Sequence, residues 1–219
     1  MSWHCIFLVV LLLVCLSRSG SIKETKGATE PFEEDEQYFC YQYADEAVKI
    51  DGKIYVKKQN FNSTLPPLCD SAERVETIND TNYVYTLAAV IPQVNGTLVK
   101  FKTSLVLSKT GTHERYNAMT YQYATTEPPK LRKLMYLSEN RDCMIFVDNR
   151  NSTDKARCQL FQPAKYANGT IPSQCENVYK ENCPGPDITV YYSYCQSLPE
   201  ISLEVLKKLM TTTAAPEQC

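Results

Sequence analysis

From Lys53 to Gln162 short apolar and aromatic runs alternate with clusters of Asn, Asp, Gly and Pro, the punctuation of a sheet protein. The runs are Lys53 to Asn60, Asp70 to Ile78, Asn82 to Ile91, Thr97 to Ser108, Tyr116 to Thr125, Leu131 to Leu137, Asp142 to Asp148 and Ala156 to Gln162. Several alternate with period two. Tyr83, Tyr85, Leu87, Ala89 and Ile91 share one face, as do Met119, Tyr121 and Tyr123. Eight sequential strands with short connections predict an all-β, eight-stranded antiparallel up-and-down barrel, just wide enough inside for one small ligand. Periodicity alone leaves open a sandwich with a filled core.

The pattern changes on either side of the strands. Pro31 to Glu36 places proline and acids in the first turn of a predicted N-terminal helix, which runs to about Val48 with Phe39, Cys40, Tyr43 and Ala47 at helical spacing. Pro172 to Cys183 reads as a short helix and Asp187 to Cys195 as an extended run. Pro199 to Met210 reads as a C-terminal helix with Ile201, Leu203, Val205, Leu206, Leu209 and Met210 on its apolar pattern. Residues 21–30 read as a flexible segment, 31–210 as one domain, and 211–219 as a Thr-rich tail of O-glycosylated type.

The apolar run Cys5 to Leu16, followed by Ser17-Arg18-Ser19-Gly20-Ser21, reads as a signal peptide over residues 1–20. Its 12 residues fall short of the roughly 20 that cross a hydrocarbon core. Cleavage near Ser19 or Gly20 leaves eight of the ten cysteines, an even number for an oxidising route and up to four bridges. Five Asn-X-Ser/Thr sequons, at Asn62, Asn79, Asn95, Asn151 and Asn168, point to the same secreted, extracellular, glycosylated protein.

Loss of Arg18 takes the formal charge from −2 to −3, which gives no basic footprint for nucleic acid or an anionic membrane. Chemistry is equally sparse. The two histidines are His4, in the leader, and His113, which the flanking Gly111-Thr112 and Glu114 place in an exposed loop. No Gly-rich phosphate loop or Cys-x2-Cys zinc spacing occurs, so neither an enzyme nor a cofactor is expected.

Half of the cysteines fall between Cys143-Met144-Ile145-Phe146-Val147 and Val190-Tyr191-Tyr192-Ser193-Tyr194-Cys195, with Cys158-Gln159-Leu160-Phe161, Cys175 and Cys183 between them. In this arrangement the chain resembles the tick salivary lipocalins, the tick histamine-binding protein family. The family has a cysteine before the seventh strand, an acidic-Leu-aromatic triplet in the eighth, and two later cysteines at spacings like those of Cys175 and Cys195. The resemblance implies disulfides Cys69–Cys195 and Cys143–Cys175. Cys40, Cys158, Cys183 and Cys219 then allow three pairings; Cys158–Cys183 with Cys40–Cys219 is preferred, and an intermolecular bond through Cys219 is the rival.

The resemblance also implies a scavenger that traps a small host mediator in its barrel to blunt host defence, and a monomer is expected. The mediator is a histamine- or serotonin-type amine, or a leukotriene- or thromboxane-type lipid. An inhibitor that binds a host protein such as a complement component, through loops or the C-terminal helix, is the alternative. Where amine-binding relatives carry acids, this chain carries Met144, Gln159 and Ser104, all neutral, while Tyr123 matches a ligand-facing aromatic position. Tyr123, Met144, Gln159, Ser104 and Tyr85 are therefore the candidate ligand contacts. Glu76, Glu114 and Asp148 turn inward if the strand phase slips by one residue. Lys100, Lys102 or Arg132 would serve a carboxylate-bearing ligand.

Overall fold

The computed structural model describes residues 30–63, 67–94, 96–150 and 155–213. The expected leader, the sequons at Asn95 and Asn151, and Cys219 lie outside them.

Eight strands close on themselves: β1 (Lys53–Gln59), β2 (Ser71–Thr77), β3 (Asn82–Val90), β4 (Leu98–Ser108), β5 (Ala118–Tyr121), β6 (Lys130–Leu137), β7 (Met144–Asp148) and β8 (Cys158–Pro163). Each pairs antiparallel with the next, and β8 returns to β1, with Ile54 opposite Pro163 and Gln59 opposite Gln159. The alternation of Tyr and aliphatic residues supplies the inner face. Tyr83 and Tyr85 of β3, Leu105 and Leu107 of β4, Met119 and Tyr121 of β5, and Phe146 of β7 form one core inside the barrel.

Bulges correct the phase where the pattern needs it. Between Leu134 and Tyr136 the β6–β7 register shifts, so Met135 and Tyr136 both face outward while Leu134 and Leu137 face in. A shift between Val56 and Lys58 likewise keeps Val56 and Gln59 on the inner register.

The segment before β1 is two short pieces rather than one helix: a 3₁₀ turn at Glu36–Tyr41 and α1 at Ala44–Ala47. Non-helical backbone at Gln42 and Tyr43 breaks it, because Gln42 is spent on tertiary bonds, donating to Phe32 O at 2.8 Å and accepting at Oε1 from His113, 2.7 Å away. His113 is therefore buried, stacked on Phe39 with ring centroids 3.6 Å apart, and not the exposed loop residue that its neighbours imply. Ala44, Ala47 and Val48 join the inner core and close this end of the barrel.

After β8 come α2 (Ala164–Ala167), α3 (Ser173–Asn182), β9 (Ile188–Thr189), a 3₁₀ turn at Ser193–Gln196, β10 (Glu200–Ser202) and α4 (Leu203–Thr213). α3 covers the outer face of β6–β8 through a second core of Met135, Ile145, Val147, Leu160 and Tyr179. β10 lies parallel to the start of β4. Three disulfides form among the described residues: Cys69–Cys195, Cys143–Cys175 and Cys158–Cys183, the pairings expected. No helix among the described residues is long and apolar enough to cross a membrane.

Asn60 ties the C-terminal segment to the barrel. Its Oδ1 accepts from Cys158 N at 2.7 Å, and its Nδ2 donates to Ala156 O at 2.7 Å and Pro184 O at 3.0 Å. Gly185 passes so close that a Cβ would meet Asn60 O at 2.7 Å, at a φ of +141° that few other residues adopt. Asn60→Ala orphans buried backbone groups and is expected to lower unfolding free energy by about 2 kcal/mol in urea titration.

Candidate functional site

The barrel interior holds a cavity of about 500 Å³. Its floor is Ala47 and Val48, and its wall includes Val56, Tyr85, Leu105, Met119, Tyr121, Met144, Phe146 and Phe161. Its rim is formed by Ser63, Pro67, Ile91, Ala124 to Glu127 and Leu203, at the end where β3 and β5 finish. A smaller cavity of about 140 Å³ lies beside it, lined by Phe61, Asn62, Lys130, Arg132, Asp148, Arg157 and Gln159. Tyr121 and Tyr123 line both, forming the wall between them.

Tyr123 lies beyond the strand expected to carry it, since β5 stops at Tyr121. There the Thr103 hydroxyl takes over from the ladder, accepting from Gln122 N at 3.2 Å. Gln122 Nε2 donates to Glu127 O at 3.0 Å, and the loop so pinned keeps Tyr123 on the inner register.

One carboxylate reaches the large cavity wall from a position the sequence patterns did not single out. Asp70 precedes β2 on the same parity as Ala72, and Cys69 before it adopts a left-handed φ of 58° while its amide donates to Val190 O at 2.8 Å. The Asp70 carboxylate accepts from the Tyr123 hydroxyl at 2.9 Å. Burial pushes its carboxyl up to about 6, against the pull of the Tyr123 hydroxyl and the Leu68 backbone. Burial, and then the charge of Asp70, drive the Tyr123 phenol well above its usual value. No Lys, Arg or His is among the described residues lining the large cavity, and its other acid, Glu127, is paired with Lys130.

Behind Tyr123 the polar groups form a connected chain. Gln159 Nε2 donates to the Tyr123 hydroxyl at 3.1 Å and to Gln59 Oε1 at 2.9 Å, while Gln159 Oε1 accepts from Arg132 at 2.7 Å. Arg132 is buried and also donates to the Tyr121 hydroxyl at 2.9 Å and Asp148 at 3.0 Å. Desolvation opposes its charge, but Tyr121 and Asp148 outweigh it and hold the guanidinium above its ordinary value.

Of the five expected contacts, four come together: Tyr85 and Met144 on the large cavity, Gln159 on the small one, and Tyr123 on both. Ser104 does not. It is exposed on the outer face of β4, and Thr103 takes the inner register, a one-residue phase error that exchanges faces. Glu76, Glu114 and Lys102 are also exposed, and Lys100 pairs with Glu200 on the outside. Asp148 and Arg132 are committed to each other at the small cavity. An acid directly after a cysteine at a strand entry, on the parity of inward Ala72, was the available signal for Asp70.

An antiparallel eight-stranded barrel that encloses a ligand-sized cavity, closed below by a helical turn and flanked by a C-terminal helix, defines a lipocalin. Structural neighbours share this fold. A protein solved as "AM182 Serotonin Complex" superposes with TM-score 0.51 at 14% identity, over 78% of this chain and 97% of that one. Insecticyanin from the tobacco hornworm Manduca sexta superposes with TM-score 0.52 at 13% identity, over 74% and 89%. A sequence search among curated proteins returns no match. The model of the tick histamine-binding protein family matches residues 32–197, and the chain belongs to that family.

Proposed function

We propose that this protein is a secreted scavenger that holds a small cationic amine with an aromatic or apolar body in its 500 Å³ cavity. The observation that carries this reading is Asp70, an inward carboxylate in a largely apolar chamber with no cationic side chain among its described lining residues. A carboxylate so placed lacks the counter-charge that low-dielectric surroundings demand, and a bound ammonium supplies it. Tyr85, Tyr121 and Tyr123 add aromatic faces for cation–π contact, and the volume suits a small molecule. The serotonin named for one structural neighbour is consistent with this ligand class.

The lipid reading has less support. A carboxylate-bearing lipid needs an inward cation with spare donors, and Arg132, a buried cation lining the adjoining small cavity, is engaged by Tyr121, Gln159 and Asp148. Isothermal titration of the secreted protein with serotonin, histamine and a leukotriene tests the choice. Micromolar or tighter binding of an amine and none of the leukotriene is the expected result. The reverse order would overturn the amine assignment while leaving a ligand-binding barrel.

A further inference from the structure

The chain Asp70–Tyr123–Gln159–Arg132 has a fixed direction, and the direction follows from valence. A guanidinium donates and never accepts, so the Gln159 atom 2.7 Å from Arg132 is the carbonyl oxygen. Its amide nitrogen must then face the other way, where it donates to Tyr123 and Gln59. Gln59 agrees with this orientation: its Oε1 accepts from Gln159 and its Nε2 donates to Phe61 O at 2.7 Å. With its oxygen already accepting from Gln159, the Tyr123 hydroxyl has one proton, and the acceptor at hand is Asp70 at 2.9 Å.

We infer that Gln159 and Arg132, neither of which is bonded to Asp70, are positioning residues of the cation site: they aim the Tyr123 proton at Asp70 and so hold that carboxyl as an anion ready for an ammonium. The inference rests on the amine reading for its purpose, but not for its geometry. Asp148 completes the device by fixing the Arg132 guanidinium from the far side at 3.0 Å. Linked donors polarise one another, so a Tyr123 hydroxyl that accepts from Gln159 donates more strongly than one that does not. The other titratable groups on the large cavity are Tyr85, Tyr121 and Glu127; Tyr121 accepts from Arg132 and Glu127 is paired with Lys130. None of the three is a hydrogen-bond partner of Asp70, whose donors are the Tyr123 hydroxyl and the Leu68 backbone.

The same chain requires an amide rather than an acid at position 159. A glutamate at 159 would accept from Arg132 and also demand the Tyr123 proton, turning the chain around and leaving Asp70 with only the Leu68 backbone as donor.

The test is a carbon-detected NMR titration of the Asp70 carboxyl in ligand-free protein, so its outcome does not depend on which mediator binds. The wild-type midpoint is expected near 6. Tyr123→Phe should raise it by roughly one pH unit, the worth of one hydrogen bond to a charged acceptor. Gln159→Met should raise it in the same direction by roughly half as much, although Gln159 makes no hydrogen bond to Asp70. Added to Tyr123→Phe, it should do nothing more. Should the Met variant not fold, Gln159→Asn keeps the amide but is too short to reach both partners, and the same rise is expected. An unchanged midpoint in a folded residue-159 variant, or an undiminished effect in the Tyr123→Phe background, overturns the relay. Failure of every amine to bind, with the midpoints shifting as stated, would overturn the amine reading and leave the relay standing.

Discussion

Asp70→Asn is expected to abolish amine binding and, at the same time, to stabilise the empty protein. Loss of one charge from a desolvated pair costs about 3–5 kcal/mol, so affinity should fall by at least two orders of magnitude in calorimetry. The stability gain has the opposite origin. The native carboxyl titrates near 6, above its unfolded value near 3.8, so between those values the folded chain holds a proton that the unfolded chain has released. Stability therefore falls as pH rises from about 4 to about 6 and stays low above it, by about 2–3 kcal/mol. Asparagine removes that penalty. Thermal melts should show the variant roughly 5–10 °C more stable at pH 7, with the difference gone below pH 4. Wild-type amine affinity should weaken as pH drops through about 6 and the anchor is protonated. A variant that binds amines normally, or whose stability gain over wild type is no larger at pH 7 than at pH 4, would sink the role given to Asp70.

Removing the Cys69–Cys195 disulfide as a double alanine variant should be the costliest of the three bridge deletions. Its sequence separation is 126 residues against 32 for Cys143–Cys175 and 25 for Cys158–Cys183. The chain-entropy model then gives about 5 kcal/mol for the first and about 3.5 for the shortest. There is a local consequence as well. Cys69 holds a left-handed backbone conformation that a non-glycine residue adopts only under constraint, and Asp70 is the next residue. Urea titration should show a loss of several kcal/mol, and amine affinity should fall even where the variant is fully folded. Deletion of Cys158–Cys183, on the outer face with α3, should reduce stability and leave affinity unchanged.

The barrel was legible because its signals are local and repeated. Period-two alternation at Tyr83–Ile91 and Met119–Tyr123 set the inner face, and turn residues separated the strands. The two predicted termini were less legible for one reason. Pro31 to Val48 carries helix-start chemistry, but Gln42 is recruited by Phe32 and His113 from elsewhere in the fold, and the helix breaks there. At Pro199, pairing with β4 converts the first residues of an expected helix into β10 before α4 begins.

The site divides along the same line. Tyr85, Tyr123, Met144 and Gln159 followed from strand parity and family position, whereas Ser104 failed because one residue of phase exchanges the faces of β4. Alone, the sequence determined eight strand-like runs with tyrosines on one parity and an even set of cysteines after the leader; the family resemblance added the barrel, two disulfide pairings and the neutral residues at three expected acidic positions. Only the tertiary structure decided where the charge resides. It placed Asp70 on the cavity wall and spent Arg132 on Asp148, Tyr121 and Gln159, which lie 11 to 27 residues away in the chain. Hydrophobic alternation is written one residue at a time, but a hydrogen-bonded chain joining four separate segments exists only once the barrel has closed.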